Sequence, residues 1–276
     1  MEVLFLILNY KTYRNTICLT NELLSFKTTL DYGILIIDNC SSNESYQQLK
    51  KTYDNNNKVE VIATNENGGY AKGNNFGLRH AKKYNPEYVC LINNDVHFSA
   101  KVIEHLVKQY EELPNVGIIS PVQLLPGHVK PKFKETQILR IPSFRDDFLS
   151  YLFFKVPIHE YKENTDIRGV QKVEIIQGAF LFIRYSKFEE VGFFDESTFL
   201  FGEERILAKK IKEAGLSNYI ILDEYYIHAH SITISQFASD RKKAEYRYKG
   251  KKAYIKKYEK FPLVKCSLLT IAYRVN

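Results

Sequence analysis

Three short apolar runs in the first hundred residues each stop on polar side chains, and this pattern restricts the fold more than any other feature. Val3-Leu4-Phe5-Leu6-Ile7-Leu8 ends in Asn9-Tyr10, Ile34-Leu35-Ile36-Ile37 ends in Asp38-Asn39-Cys40-Ser41-Ser42, and Tyr88-Val89-Cys90-Leu91-Ile92 ends in Asn93-Asn94-Asp95. Near-continuous apolar runs are what strands buried on both faces require. Amphipathic stretches separate them, and strand–helix alternation is the signature of a parallel sheet. Strands are expected at 2–8, 33–38, 58–63, 87–92 and 116–119, and helices near 14–27, 43–53, 71–83 and 99–111, the last with Ser99 as N-cap. Ligands of such sheets bind beyond the carboxyl ends of the strands. A carboxylate there, Asp95, can ligate a hard divalent cation that bridges to phosphate oxygens. A strand followed by an Asn/Asp turn accounts for the same residues without a ligand.

Between the second and third polar tips lies Asn65-Glu66-Asn67-Gly68-Gly69-Tyr70-Ala71-Lys72-Gly73-Asn74-Asn75-Phe76-Gly77. Glycines let backbone approach a ligand closely, and a helix that follows offers N–H groups to an anion. Neither the dinucleotide nor the P-loop glycine fingerprint is present, which excludes those two nucleotide-binding classes. Further on, Gly192-Phe193-Phe194-Asp195-Glu196 leads to Phe199-Leu200-Phe201-Gly202-Glu203-Glu204, and a helix is expected from Glu203 to Ala214 with Gly215 as C-cap. Val173–Arg184 reads as one strand holding Gln177-Gly178-Ala179; Asn218–Leu222 and Tyr225–His230 read as two late strands.

The Asp38 strand end, the Asn67-Gly68-Gly69 to Asn74-Asn75-x-Gly77 segment, the Asn93-Asn94-Asp95 tip and the Phe193–Glu204 stretch together resemble family 2 glycosyltransferases, over roughly residues 1–235. The chain is similar to bacterial rhamnosyltransferase-like polysaccharide enzymes. The resemblance implies an α/β GT-A fold, with a mostly parallel central sheet flanked by helices. It also implies inverting transfer of a sugar from a nucleotide-diphosphate donor to a glycan or lipid-linked acceptor, with Mn²⁺ or Mg²⁺ as cofactor.

Carried over residue by residue, Asp95 falls at the last position of an Asp-x-Asp-like motif whose first position is here Asn93, an amide and so a weaker ligand. Asp38 matches the aspartate that receives the nucleoside base; capping the following helix is its alternative role. Asn9 and Tyr10 match the tip of the first strand, where the base packs, although Tyr10 also reads as a surface aromatic. Asn67, Gly69, Asn74, Asn93 and Asn94 are placed at the donor mouth. Glu204 falls on the catalytic base, with Glu203 beside it, where the family carries Glu-Asp. A further family acid is replaced by Ile206. Complementing a helix N-terminal dipole is the plainer use of the two glutamates. His228 and His230 alternate on one strand and so share a face. Either one completes the metal site by resemblance, and a structural role is equally open to both.

Charge is localised. The net charge is +7, yet residues 241–260 alone hold ten Lys/Arg against two Glu. With Tyr246, Tyr248, Tyr254, Tyr258 and Phe261 interleaved, the segment reads as a basic helix over 236–260 followed by an apolar tail. An anionic membrane surface met by residues 241–276 is the preferred partner. A solvated helix face is the alternative, and single-stranded nucleic acid is not expected. The domain reading is 1–235 as the catalytic unit, with 121–172 a proline-punctuated insert on the acceptor side, and 236–276 as the basic tail. Four scattered cysteines without a Cys-x-x-Cys pair fit a reducing compartment. The Val3–Leu8 run is too short for a signal peptide, and no stretch reaches the ~20 apolar residues that span a bilayer. The expected location is therefore cytoplasmic, peripheral at the inner face of the plasma membrane. Two rivals remain. A sugar-nucleotide nucleotidyltransferase needs a glycine-rich loop after the first strand, which Asn9-Tyr10-Lys11-Thr12 lacks. A catalytically silent subunit is favoured by Asn93, Glu204 and Ile206.

Overall fold

Alternation along β1 (Val3–Asn9) splits the interior in two. Val3, Phe5 and Ile7 face one core, and Leu4 and Leu6 face the other, because successive strand side chains point to opposite sides. The computed structural model describes residues 1–124, 126–127, 140–152, 169–229 and 239–275. Among these residues β1 pairs in parallel with β2 (Tyr32–Asp38) and β4 (Tyr88–Asn93), and β2 with β3 (Val59–Ala63). β5 (Val96–His97), β6 (Val116–Leu124), β7 (Val170–Val173), β8 (Phe180–Arg184) and β9 (Ser217–His228) complete the sheet. Its order is β3-β2-β1-β4-β8-β6-β9-β5, with β7 also on β9. The four strands from β3 to β4 are parallel. Beyond β4 the sheet is mixed, since β8 runs antiparallel to both β4 and β6.

Helices cover both faces. α1 (Tyr13–Leu24), α2 (Ser45–Tyr53) and α4 (Ala100–Glu112) bring Leu19, Leu23, Leu49, Tyr53 and Leu106 to the first core. α3 (Gly69–Ala81), α6 (Tyr185–Glu190) and α7 (Glu203–Glu213) bring Leu78, Phe188, Leu207 and Ile211 to the second. α5 (Phe144–Ser150), α8 (Asp240–Tyr258) and α9 (Pro262–Val275) form a further group, with a small core of Ile255, Cys266 and Leu269 packed against Phe144, Tyr151 and Tyr248.

Several boundaries differ from expectation for identifiable reasons. Val173–Arg184 is two strands, because residues 174–179 leave the sheet, Ile175 to Ala179 lining a cleft. The two late strands are one, β9, whose register against β6 shifts between Pro121 and Val122, where Ile221 and Tyr225 are the successive partners. The irregularity absorbs Asp223-Glu224, which reads locally as a break. The apolar tail is the helix α9. Ser99 occupies the N-cap position of α4 without a side-chain capping bond.

Candidate active site

At the tips of the parallel strands, sheet register places Asn9 beside Asp38 and Leu8 beside Asn93. Asn9 Nδ2 donates to Asp38 Oδ1 at 2.7 Å, and the Ser41 N–H donates to Asp38 Oδ2 at 2.8 Å. Thr16 Oγ1 donates to Asn9 Oδ1 at 2.8 Å, and Asn94 Nδ2 donates to Thr12 Oγ1 at 2.8 Å and to Thr16 Oγ1 at 2.9 Å. Asn9, Asp38 and Asn94 are all buried. Three of the expected donor-binding residues thus form one satisfied network, as buried polar groups must. Tyr10 is half-buried beside them, with Lys11 Nζ 5.1 Å from its ring centroid.

The glycine-rich segment is tied inward. Asn39, which sequence reasoning passed over, donates to Asn67 Oδ1 at 3.0 Å and to the Gly69 carbonyl at 3.1 Å. The Gly69 N–H donates back to Asn67 Oδ1 at 3.1 Å, and the Tyr70 N–H donates to the Phe199 carbonyl at 2.9 Å. Two donors at the start of α3 are therefore occupied by the protein itself, which corrects the expectation that they face an anion. Gly69 has φ +82°, and a Cβ there would lie 2.0 Å from the Phe199 oxygen; no L side chain fits. Asn74 is buried and donates to the Tyr70 carbonyl at 3.0 Å, so its amide serves the helix. Asn75 clamps the Phe194 backbone reciprocally, both bonds at 3.0 Å. Asn75 thus anchors the segment that leads to Glu203-Glu204.

Asp95 and His228 meet. β5 pairs Val96 with His228, and the Ala229 N–H donates to the Asp95 carbonyl at 2.9 Å. His228 Nε2 lies 3.1 Å from Asp95 Oδ1, with both side chains buried. His230 lies outside the described residues. Among the described residues no group of three or more His, Cys, Asp or Glu side chains converges. The protein offers one oxygen and one nitrogen donor here, with the half-buried Asn93 nearby on the cleft wall.

The cleft has a volume of about 720 Å³ and is lined by Asn93, His228, Tyr70, Gly178, Glu203 and Glu204 among others. Gly202, at φ +96°, turns the chain into α7 so that both glutamates open the helix. Glu203 is buried, and its Oε2 has no hydrogen-bond partner among the described residues. Burial, then the neighbouring Glu204 charge, raises its carboxyl above the ordinary range. Burial also raises Glu204, whose Oε1 sits 3.4 Å from the Gly178 N–H. Tyr70 OH donates to the Gly178 carbonyl at 2.6 Å. Burial and the two glutamate charges hold that hydroxyl protonated, so it remains a donor. Tyr70 and Gly178 belong to the site although neither was expected there. Their signal in the sequence was proximity to other motifs, which carries no direction. Ile206, by contrast, is buried in the interior.

The basic segment roofs this cleft. Lys243, Arg247, Gly250 and Lys251 of α8 line it. Gly250 sits against the Gly202 turn so closely that a Cβ on it would come 2.3 Å from the Phe201 carbonyl oxygen. Tyr246 stacks on Phe199 with centroids 4.9 Å apart. Arg205 pairs with Asp147 of α5 and lies 3.7 Å from the Tyr254 ring centroid. Lys251 reaches Asp147 at 3.6 Å. Burial raises the Asp147 carboxyl and lowers the Lys251 ammonium, each effect partly offset by the other's charge.

The family model "Glycosyl transferase family 2" matches residues 10–192. The chain belongs to that family. Its fold is of the GT-A type. A low-salt glycan biosynthesis hexosyltransferase of Haloferax volcanii is 28% identical over 175 residues, covering 62% of this chain and 50% of the relative. The chain thus spans half the length of that protein. An N-acetylglucosaminyl-diphospho-decaprenol L-rhamnosyltransferase of Mycobacterium tuberculosis is 26% identical over 220 residues, 75% of this chain and 70% of the relative. Among solved structures, the mannosyltransferase PcManGT of Pyrobaculum calidifontis, in complex with GDP-Man and Mn²⁺, superposes with a TM-score of 0.63 at 16% identity, covering 99% of this chain and 69% of that one.

Proposed function

We propose that this family 2 chain is a metal-assisted, inverting glycosyltransferase. It moves a hexose or rhamnose-type sugar from a nucleotide diphosphate to a glycan or lipid-linked acceptor of a cell-surface polysaccharide. The observation that carries the reading is that both glutamates and the His228 that pairs with Asp95 line one cleft. The relatives' names supply the sugar classes and the diphospho-lipid acceptor. The Pyrobaculum complex supplies the pairing of a sugar nucleotide with Mn²⁺.

Asp95 and His228 fit such an ion. Small divalent cations are commonly held by one or two protein groups together with substrate phosphates, and Mn²⁺ accepts both carboxylate oxygen and imidazole nitrogen. Bound there, the ion supplies Lewis-acid neutralisation of the leaving diphosphate. The remaining chemistry belongs to side chains. The network of Asn9, Asp38 and Asn94 fixes the strand tips on which the nucleoside rests. Glu204 takes the proton of the acceptor hydroxyl as the new carbon–oxygen bond forms and the bond to diphosphate breaks. A carboxylate raised by burial is a stronger base near neutral pH than an ordinary one. Tyr70 holds the Gly178 backbone against Glu204 and so positions it. Ile175, Ile176, Leu200 and Phe201, under the cations of α8, form the acceptor end.

Calorimetry with UDP, GDP and dTDP, each with and without Mn²⁺, tests the donor half. The wild type should bind at least one diphosphate more tightly with Mn²⁺, and Asp95→Asn should lose that enhancement while keeping its thermal midpoint. Undiminished metal dependence in Asp95→Asn would remove the ligand role.

A further inference from the structure

α9 is amphipathic in an unusual sense: both of its long faces are apolar, and only one is covered. Cys266, Leu269 and Ala272 are buried, and Tyr273 stacks on Tyr248 of α8 with centroids 4.2 Å apart. On the other side Phe261, Val264, Leu268, Ile271 and Val275 are 75%, 60%, 41%, 61% and 74% exposed, and Leu263 is 82% exposed. Within the helix, Val264, Leu268, Ile271 and Val275 recur at steps of four, three and four residues, which aligns them in one stripe, with Phe261 just before its start. A contiguous apolar stripe of this kind on a surface marks a contact.

Two occupants suit such a stripe, a second copy of α9 or a lipid surface, and charge separates them. α9 contains no carboxylate, and the exposed Lys260 and Arg274 stand at its two ends. Pairing two copies through the stripe would set cation against cation where coiled coils place opposite charges. From residue 239 to 275 the chain carries twelve Lys/Arg and three Asp/Glu. Such a surface complements anionic headgroups. The sequence alone pointed to residues 241–276 as the contact, with the basic helix supplying the charge. The structure instead engages Lys251 with Asp147 and Lys257 with Asp195, and turns Lys243 and Arg247 to the cleft.

We propose that the exposed face of α9 docks on an anionic lipid bilayer, its apolar stripe entering the acyl boundary and the surrounding cations meeting lipid phosphates. Among the described residues no helix is long and apolar enough to cross a membrane, so the helix lies in the interface plane. The cleft roofed by α8 is thereby held near the bilayer surface.

The test is co-sedimentation of the full chain with phosphatidylcholine vesicles, with and without about 30% phosphatidylglycerol, in about 0.1 M salt. The wild type should bind the acidic vesicles about tenfold better than the neutral ones, and Leu268→Glu/Ile271→Glu should lower that binding by about tenfold or more. Both positions are exposed, so the thermal midpoint and nucleoside diphosphate binding of the variant should match the wild type. Three results would overturn the proposal: no wild-type binding to acidic vesicles, binding that survives the double substitution, or a wild-type dimer by light scattering that the substitution dissociates.

Discussion

The strand tips and the charged wall of the cleft are built from different chemistry. At the strand tips, the Asn9 amide and the Ser41 N–H donate to one buried carboxylate, Asp38, and Asn9, Thr16 and Asn94 pass hydrogen bonds between β1, α1 and the residue after β4. At the charged wall, full charges pin separate helices together: Asp147 of α5, Arg205 of α7 and Lys251 of α8 meet where water is largely excluded. The first arrangement joins strand ends already aligned by sheet register, and the helix that follows β1, so modest bonds suffice. The second joins segments that no strand aligns. A buried charge left without its partner is costly, which makes this junction selective for one docking of α8 over the cleft. The contrast separates strand tips joined by neutral hydrogen bonds from a cleft wall assembled by ion pairing.

The largest effect expected from this contrast is at the charged junction. Arg205→Met should destabilise the fold by about 3–5 kcal/mol, because Asp147 keeps its burial and loses its closest partner. Denaturant titration measures it, and a loss below about 1 kcal/mol would mean that Lys251 alone satisfies Asp147. A smaller loss is expected at the neutral network. Asn94→Leu removes the donor to both Thr12 and Thr16, and should cost about 1–3 kcal/mol by the same titration. If it costs as much as Arg205→Met, the two regions do not differ as described.

A further effect is a pH dependence. Glu203 has its folded-state carboxyl raised from an ordinary value of 4.5 by burial and by Glu204. A raised folded value means that the unfolded chain ionises first. The contribution of Glu203 is therefore fully present below 4.5 and is lost as the pH rises through the raised value. Wild-type stability should decline across that interval, and Glu203→Gln should flatten the decline. Thermal midpoints of both proteins across a pH series decide it; parallel curves would show that Glu203 is not the group responsible.

What the sequence made legible follows the same division. The ends of β1, β2 and β4 could be read because each apolar run stops within one residue of its structural end, and strand register then brings Asn9 beside Asp38 automatically. The start of α7 could be read from Gly202-Glu203-Glu204. The ion pairs could not, since Asp147 and Arg205 are 58 residues apart and nothing local to either names the other. α8 looked like a solvent or membrane face because its charge is visible, whereas its Gly250 contact with the Gly202 turn depends on an absent side chain. α9 was taken for a tail because its buried and exposed residues are both apolar, which erases the usual helical period. β9 was divided at Asp223-Glu224 because a register shift leaves no compositional trace.

The central claim is that one cleft holds a donor side organised by Asp95 and His228 and an acceptor side served by Glu204. The most direct measurement is turnover together with donor affinity for Glu204→Gln, using the nucleotide sugar identified by diphosphate binding. A positioned general base contributes about 10²–10⁴-fold, so kcat should fall by that order while donor affinity stays within about twofold of wild type. Near-full turnover in Glu204→Gln, or a loss of donor affinity that matches the loss of rate, would contradict the division of the cleft into these two sides.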